Sequence, residues 1–177
     1  MMAAKKLFWI IAFPFLLFGC SHHHVPNPYR YQISLDNDFS STSSISLMNV
    51  QTSTEDVLFA ANGPHKFYAN YQRWTETAIA LTQQELVKRG MKVEEHATKT
   101  LKLSIDSAKV TDSVSGMFYC DTTLGVETGD GYARKYLGQS SNFGITFHII
   151  YATADNSVTS AVAEMLKDPK IINYLTK

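Results

Sequence analysis

Alternation of apolar and polar residues in the second half of the chain predicts paired β-strands. Residues 101–106 read Leu-Lys-Leu-Ser-Ile-Asp, a period of two that is typical of a strand with one buried face. Residues 118–126 repeat this period. The Asp130-Gly131 pair that follows suits the positive φ of a tight turn, so the chain is expected to fold back into a strand over 132–137.

Further strand signals lie on both sides of this hairpin. Residues 45–50 predict a short strand and residues 57–59 a weaker one, followed by a turn at Asn62-Gly63-Pro64. On the other side, residues 138–144 form a polar stretch that predicts a loop. The alternating apolar positions over 145–151 then predict another strand.

Two long segments and one short segment have the apolar spacing of helices. Residues 68–89 place their aromatic and aliphatic side chains in one broad stripe, and Gly90 stands where a helix C-cap is expected. Residues 154–166 repeat the helical spacing. Asp168-Pro169 predicts the start of a last short helix, with aspartate as the N-cap and proline at the first helical position.

These elements together predict a single domain of the α+β class over residues 45–177. We expect a two-layer domain in which a mainly antiparallel sheet of about five strands carries helices on one face. The polar residues that alternate with the core positions suit a sheet whose second face contacts water.

The N-terminus has the pattern of an export signal. Lys5 and Lys6 precede the uncharged apolar stretch 7–18, and a small residue, Gly19, ends it. This order of charge, apolar stretch and small residue predicts a signal peptide over residues 1–19. The stretch is too short to hold the protein in a membrane as a spanning helix, which needs about 20 apolar residues.

The end of this segment, Leu17-Phe18-Gly19-Cys20, resembles the lipobox of bacterial lipoproteins. Phe18 departs from that pattern, which commonly has a small or β-branched residue there. The resemblance implies that Cys20 receives a diacylglycerol, that the signal is cut before it, and that palmitate or a similar acyl chain follows on the new amine. Ser21, in place of aspartate, implies the outer membrane, with the protein facing the periplasm.

Residues 20–44 are expected to form a lipidated, flexible tether, because prolines and serines there disfavour regular structure. The tether includes three adjacent histidines, His22, His23 and His24, whose composition also fits a metal site. Adjacent side chains do not converge easily on one ion, and no cysteine or carboxylate cluster stands beside them. We therefore predict no metal site, and the role of the three histidines stays open.

Charge and cysteine content limit the function classes. Sixteen basic residues balance sixteen acidic residues, so the chain lacks the basic excess of a nucleic-acid-binding protein. With Cys20 taken by lipid, Cys120 stands alone in an alternating strand pattern. It is expected to be a buried, inert thiol rather than a nucleophile.

The sequence contains no motif that predicts catalysis or a cofactor. A serine nucleophile elbow is missing from the sequence, and His65, His96 and His148 are scattered singly. The acidic group Glu94-Glu95 beside His96 is expected to lie on the solvated surface, as is His148. Asp130 and its flanking glycines fit a hairpin better than a phosphate loop. We therefore expect a protein that is not an enzyme.

Aromatic residues are the most unusual feature of the predicted domain. Tyr71 and Trp74 lie on the first predicted helix, and Tyr132 and Tyr136 lie on a predicted strand. Most are expected to be core residues, but tyrosine and tryptophan also dominate binding hot spots. These four are the candidate partner-binding residues.

The layout of a lipobox, a tether and an α+β body resembles the small envelope lipoproteins of the YajG-like group. That resemblance implies an accessory role in a secretion, transport or assembly complex of the cell envelope. The leading hypothesis is a non-enzymatic docking subunit, with an exposed aromatic patch or a free sheet edge as the docking surface. The alternative is a carrier of a lipid or small apolar ligand, which needs an enclosed apolar pocket. A cell-wall hydrolase is the third possibility. The oligomeric state stays open.

Overall fold

Strands and helices follow one another through most of the chain in the computed structural model, which describes residues 19–28, 32–33, 35, 39–112 and 115–177. Residues 1–18, which carry most of the predicted signal peptide, lie outside the described residues. The elements in chain order are β1 (Ser21–His24), β2 (Ser44–Asn49), β3 (Asp56–Asn62), β4 (His65–Asn70), α1 (Tyr71–Lys88), β5 (Lys92–Val93), β6 (Lys99–Asp112), β7 (Met117–Thr128), β8 (Ala133–Phe143), α2 (Phe147–Lys167) and α3 (Pro169–Thr176).

The strands form two sheets. The larger has the order β5-β2-β6-β7-β8, in which β2 runs parallel to both β5 and β6, while β6, β7 and β8 are antiparallel neighbours. The smaller has the order β1-β4-β3, with β1 parallel to β4 and β3 antiparallel to it. The predicted α+β class is confirmed, with helices against the sheet. The larger sheet is mixed because its β2 side is parallel.

The predicted hairpin forms β7 and β8, which make up one side of the larger sheet and pair with β6 through β7. Leu103 pairs with Val126, and Leu124 pairs with Tyr136, so the apolar residues of three strands share one face. That face is buried under the helices. Gly131 has φ of 90° in the turn between β7 and β8, a conformation that favours glycine and that the sequence predicted at this point.

α2 packs so closely on β8 that one position admits no side chain. A Cβ atom added at Gly138 would lie 2.0 Å from the carbonyl oxygen of Ser157 and 2.3 Å from the amide nitrogen of Ala161. The helix backbone therefore rests on the strand backbone at this glycine. Within the described residues, no helix is both long and apolar enough to cross a membrane.

Residues 138–151 differ from the prediction in two ways. The predicted polar loop 138–144 belongs mostly to β8. Ser140 and Asn142 lie on the inner face of this strand although they are polar, because both donate hydrogen bonds to Thr153 of α2. The predicted strand 145–151 is wrong, since α2 begins at Phe147. Ile150 is the buried residue of this stretch and continues the helical spacing toward Ala154, so the apparent alternation was accidental.

The first helix begins later than predicted because a strand precedes it. Asn70 is the N-cap of α1, and its side chain accepts a hydrogen bond from the Arg73 amide. Residues 65–70 form β4, whose Phe67 and Ala69 are buried with a period of two. The predicted end of the helix is confirmed: Gly90 follows the C-cap residue with φ of 83°.

The segment predicted to be a flexible tether contains ordered structure near its start. Ser21–His24 form β1 and pair with β4 from Lys66 to Ala69. Pro26 is buried, and its carbonyl accepts a hydrogen bond from the Thr77 hydroxyl. The prediction of a tether is therefore wrong for these residues, because the alternating histidines of β1 find aromatic neighbours on β4 and α2. Residues 29–31, 34 and 36–38 lie outside the described part.

Candidate functional site

Cys20, the predicted lipid attachment site, lies directly before β1 and is exposed. Its carbonyl oxygen accepts a hydrogen bond from the Lys66 amide at 2.9 Å. The backbone of Cys20 is therefore already held by β4, although its thiol faces solvent. Cys20 and Cys120 are both free, so neither is used in a disulfide with the other.

The three adjacent histidines of β1 point alternately to opposite sides, as strand geometry requires. His23 lies on the outer side, where its Nδ1 is 3.0 Å from Asp56 Oδ2. His22 and His24 lie on the side that packs against α2. The sequence alone leaves the role of these histidines open, and in the structure two of them are part of the packing between the smaller sheet and α2.

His22 belongs to a cluster of rings at the beginning of α2. Its ring stacks on Phe67 with centroids 4.8 Å apart, and its Nε2 lies 3.0 Å from His65 Nδ1. Phe147, the first residue of α2, contacts His65 with centroids 4.2 Å apart. One ring nitrogen of the histidine pair donates to the other, so the contact requires at least one neutral imidazole.

His24 binds the next turn of the same helix. Its Nε2 is 2.7 Å from Asp155 Oδ1, and its ring stacks on Tyr151 at a centroid distance of 4.5 Å. Its backbone carbonyl accepts a hydrogen bond from Trp74 Nε1 at 2.8 Å. β1 thus contacts α2 through the side chain of His24 and α1 through the backbone carbonyl of His24.

The described residues contain no group of three or more histidine, cysteine, aspartate or glutamate side chains placed to hold a metal ion. His22 and His24 each have protein partners instead. A signal for this packing does exist in the sequence: His22 and His24 share the period of two that Phe67 and Ala69 have in β4. It was missed because prolines and serines dominate the surrounding segment.

The four candidate partner-binding aromatics do not form a surface patch. Trp74, Tyr71 and Tyr136 are buried, and Tyr132 is partly buried. Tyr71 donates to the Ala108 carbonyl and accepts from the Ala108 amide, so its hydroxyl caps the backbone of β6. Burial raises the pKa of Tyr71 above its ordinary value. Their position supports a core role rather than the docking role predicted for them.

Tyr132 and Tyr136 meet at Asp168, the N-cap of α3. Their hydroxyls donate to Asp168 Oδ2 at 2.9 and 2.8 Å, and Arg134 Nη1 donates to the same oxygen at 2.9 Å. Burial acts to raise the pKa of Asp168, but the hydrogen bonds from these groups and from the Lys170 amide outweigh it, so the pKa lies below its ordinary value. Burial and the bond to Asp168 raise the pKa of Tyr136.

The residues considered for catalysis lie apart in the fold. Glu94, Glu95 and His96 are exposed after β5, and His148 is exposed on α2. Cys120 is buried as predicted, and that burial raises the pKa of its thiol. Such a thiol is protonated and inaccessible, which fits the predicted inert role.

The cavities formed by the described residues include grooves on the surface. One of about 460 Å³ lies on the open face of the larger sheet, where Lys102 pairs with Glu127 and Lys135 pairs with Asp106. Another, of about 420 Å³, lies between β3 and β6 and is lined mainly by apolar residues, including Val57, Leu58, Tyr71, Ala108 and Val110. We call this second cavity the β3–β6 groove.

No protein-family model matches the sequence, and no curated protein matches it. Among solved structures, the chain is similar to protein XCC0632 from Xanthomonas campestris, described as DUF330, with 10% identity and a TM-score of 0.55 over 86% of this chain and 96% of that one. It is also similar to an uncharacterized protein (11% identity, TM-score 0.43, 83% and 96% covered) and to a PelC dodecamer from Paraburkholderia phytofirmans (10%, 0.35, 81% and 93%). The likeness to XCC0632 shows that this fold recurs, at nearly full length, in a solved protein.

Proposed function

We propose that this chain is a bacterial lipoprotein, held in the outer membrane by acyl chains on Cys20, whose body faces the periplasm as a non-enzymatic docking subunit of an envelope complex. The position of Cys20 carries the proposal. It is exposed, is the last residue of the segment that resembles a lipobox, and stands directly before the first strand of the folded body. Two or more acyl chains give stable anchoring, since each buried methylene contributes about 0.8 kcal/mol.

Because β1 pairs with β4 directly after Cys20, a lipid on Cys20 would lie close to the folded body. Ser21, the first residue after Cys20, already pairs with Lys66 of β4. A lipid on Cys20 would therefore hold the body against the membrane surface with no free chain between them. A partner protein would therefore bind the body close to the membrane surface.

The β3–β6 groove supports a docking role. β3 is the edge strand of the smaller sheet, and its apolar Leu58 is 49% exposed. β6 pairs with β2 only as far as Leu103, so its later residues extend past that neighbour. An extended segment of a partner can add to such a strand edge through backbone hydrogen bonds, with apolar pockets giving specificity.

Acylation is tested by labelling cells with radioactive or clickable palmitate. Wild type is expected to carry the label and to float with membranes, and Cys20→Ala is expected to lose both. Cys120→Ala is the matched control, because it removes a buried cysteine and should keep the label. An unlabelled wild type, or label that persists on Cys20→Ala, would overturn the anchor.

Docking is tested by a photocrosslinking residue placed at Leu58 in cells. The matched control is Val87, which is 54% exposed on the surface of α1. A single envelope protein crosslinked in high yield from Leu58 and not from Val87 would support the docking role. Equal crosslinking from both positions, or a retained lipid or small molecule in place of a protein, would refute it; the second result would favour the carrier alternative.

A further inference from the structure

The end of β8 and the loop that follows it expose two large apolar side chains to solvent. Ile145 is 94% exposed and Phe143 is 68% exposed, the two highest values among the exposed large apolar residues of the described chain. They are separated by Gly144 and precede Phe147, the first residue of α2. A neighbouring pair of this kind differs from the singly scattered apolar residues of an ordinary surface.

The loop is held in place, so this exposure follows from the fold. The Gly144 amide donates to the Gly116 carbonyl at 3.1 Å, and the Ile149 amide donates to the Thr146 carbonyl at 3.0 Å. A Cβ atom added at Gly144 would lie 2.4 Å from Cγ1 of Ile149. The backbone at Gly144 thus rests on the first turn of α2, which leaves its two apolar neighbours outside.

β1 and α2 run side by side in the same direction. His22, early in β1, contacts Phe147, with ring centroids 5.4 Å apart. His24, at the end of β1, contacts Tyr151, one turn further along α2, with centroids 4.5 Å apart. Two residues of a strand and four of a helix both advance by about 6 Å, so the two elements stay in step.

The residues that precede these two elements therefore project from the same end of the molecule. Cys20 stands two residues before His22, and Ile145 stands two residues before Phe147. We call this end, comprising Cys20, Phe143 and Ile145, the anchor end. The exposed Lys66 lies beside it, since it pairs with Ser21 in the register of β1 and β4.

We propose that Phe143 and Ile145 insert into the membrane interface beside the acyl chains of Cys20, so that the protein has a fixed orientation on the bilayer. This inference rests on the proposed lipidation, which brings the anchor end to the membrane. Apolar side chains enter the boundary between headgroups and acyl chains to a depth of about 5–10 Å. The ammonium group of Lys66 is placed to meet the phosphates of anionic lipids.

The free energy of inserting these two side chains is small compared with that of the acyl chains, so the insertion would add to the lipid anchor and not replace it. Full burial of a phenylalanine or isoleucine side chain favours the membrane by at least about tenfold each. That is too weak to anchor the protein without lipid, but acylation already confines the loop near the surface. Two such contacts are therefore enough to select one orientation of the tethered body.

Depth-dependent quenching of tryptophan fluorescence tests the inference on the full, lipidated protein. Ile145→Trp and, independently, Phe143→Trp are reconstituted in phosphatidylethanolamine–phosphatidylglycerol vesicles with brominated acyl chains. The native Trp74 is fully buried, and wild type provides its background. Each introduced indole is expected to be quenched about twofold, because an interfacial side chain comes within reach of the bromines.

Val87→Trp is the matched control, because α1 runs away from the anchor end. Trp74 of α1 contacts the His24 carbonyl, and Thr77 contacts the Pro26 carbonyl, further from Cys20 along the chain. Val87 lies ten residues beyond Thr77, about 15 Å further along the helix axis. Its indole is expected to be quenched no more than the wild-type background.

The possible results separate this inference from the anchor. Quenching at Ile145→Trp and Phe143→Trp, without quenching at Val87→Trp, supports insertion. Palmitate-labelled protein that floats with vesicles but shows equal quenching at all three positions overturns the inference and leaves the anchor intact. Protein without palmitate overturns both.

Discussion

His24 Nε2 lies 2.7 Å from Asp155 Oδ1, and this contact binds β1 to α2. The Asp155 side chain is only 2% exposed, so its carboxylate is removed from water. Loss of a hydrogen-bond partner destabilises a buried carboxylate more than an exposed one, because water does not replace the lost bond. The contact therefore joins β1 of the smaller sheet to the helix that packs on the larger sheet.

The first prediction concerns this contact. His24→Ala is expected to lower the free energy of unfolding by about 3 kcal/mol, because it removes both the hydrogen bond to the buried Asp155 and the stacking on Tyr151. His23→Ala is the matched control: its ion pair with Asp56 is exposed, and its loss is expected to change stability by less than about 1 kcal/mol. Urea unfolding of both variants measures the difference. Equal effects would mean that the buried contact adds nothing.

The second prediction concerns the acid limit of stability. The pKa of Asp168 is lower in the folded protein than in the unfolded chain, so its ionised form stabilises the fold above the unfolded pKa of about 3.9. That contribution is lost as the pH falls from there through the lower folded pKa. Asp168→Asn is expected to be less stable than wild type by about 2 kcal/mol at neutral pH, with the difference shrinking below about pH 4.

Urea titrations of both proteins across this pH range measure the effect. Glu164→Gln is the control, since Glu164 makes an exposed ion pair with Lys167 on α2. A stability difference between Asp168→Asn and wild type that stays constant down to the lowest pH would contradict the assignment.

The third prediction concerns the contact of α2 with β8. Gly138→Ala is expected to lower the free energy of unfolding by about 3 kcal/mol, because the new methyl group collides with the backbone at Ser157. Gly125→Ala on the neighbouring strand is the control. Its methyl group would meet mainly the movable side chains of Ser104 and Asp106, so a change of about 1 kcal/mol or less is expected. Thermal or urea unfolding ranks the two, and a reversed order would disprove the close packing.

The fourth prediction concerns the two thiols of unacylated protein made by cell-free synthesis. Cys120 is buried with a raised pKa, so in Cys20→Ala its reaction with a maleimide is expected to be slower than in urea by a hundredfold or more, on the order set by rare opening of the fold. Cys20 is exposed, so in Cys120→Ala labelling is expected at the rate of an unfolded chain. Rapid labelling of native Cys120 would show an open core.

The sequence predicted those parts of the fold in which local pattern and burial agree. Leu101 and Val126 lie on the inner face of strands that alternation predicted, and Asp168 caps the helix that the Asp-Pro pair predicted. The sequence pattern led to a wrong prediction where the polar side chains of one element form hydrogen bonds with an element outside the local stretch of sequence. Ser140 continues β8 because Thr153 accepts its hydrogen bond, a contact between elements that no local window contains.

The candidate site shows the same contrast between features set by local sequence and features set by contacts between distant elements. Cys20 was singled out because a lipobox is a local motif, and its acylation stays a prediction. The packing of His22 and His24 could not, since it depends on Phe67 of a strand more than forty residues away and on the start of α2, which the sequence placed in a strand. The candidate aromatics were predicted by residue type alone, which does not distinguish a core tyrosine such as Tyr136 from an exposed one.

The pairing of β1 with β4 also determines how the proposed lipoprotein would respond to mechanical load. Force between a lipid on Cys20 and a partner that pulls on the body passes along β1, whose residues from Ser21 to His24 are in register with β4. Because the hydrogen bonds between strands run across the direction of the strands, a pull along β1 shears all of them together instead of opening them one by one. The two paired strands would therefore form a short, stiff connection, and movement of a partner would be transmitted to the membrane without first extending a flexible linker.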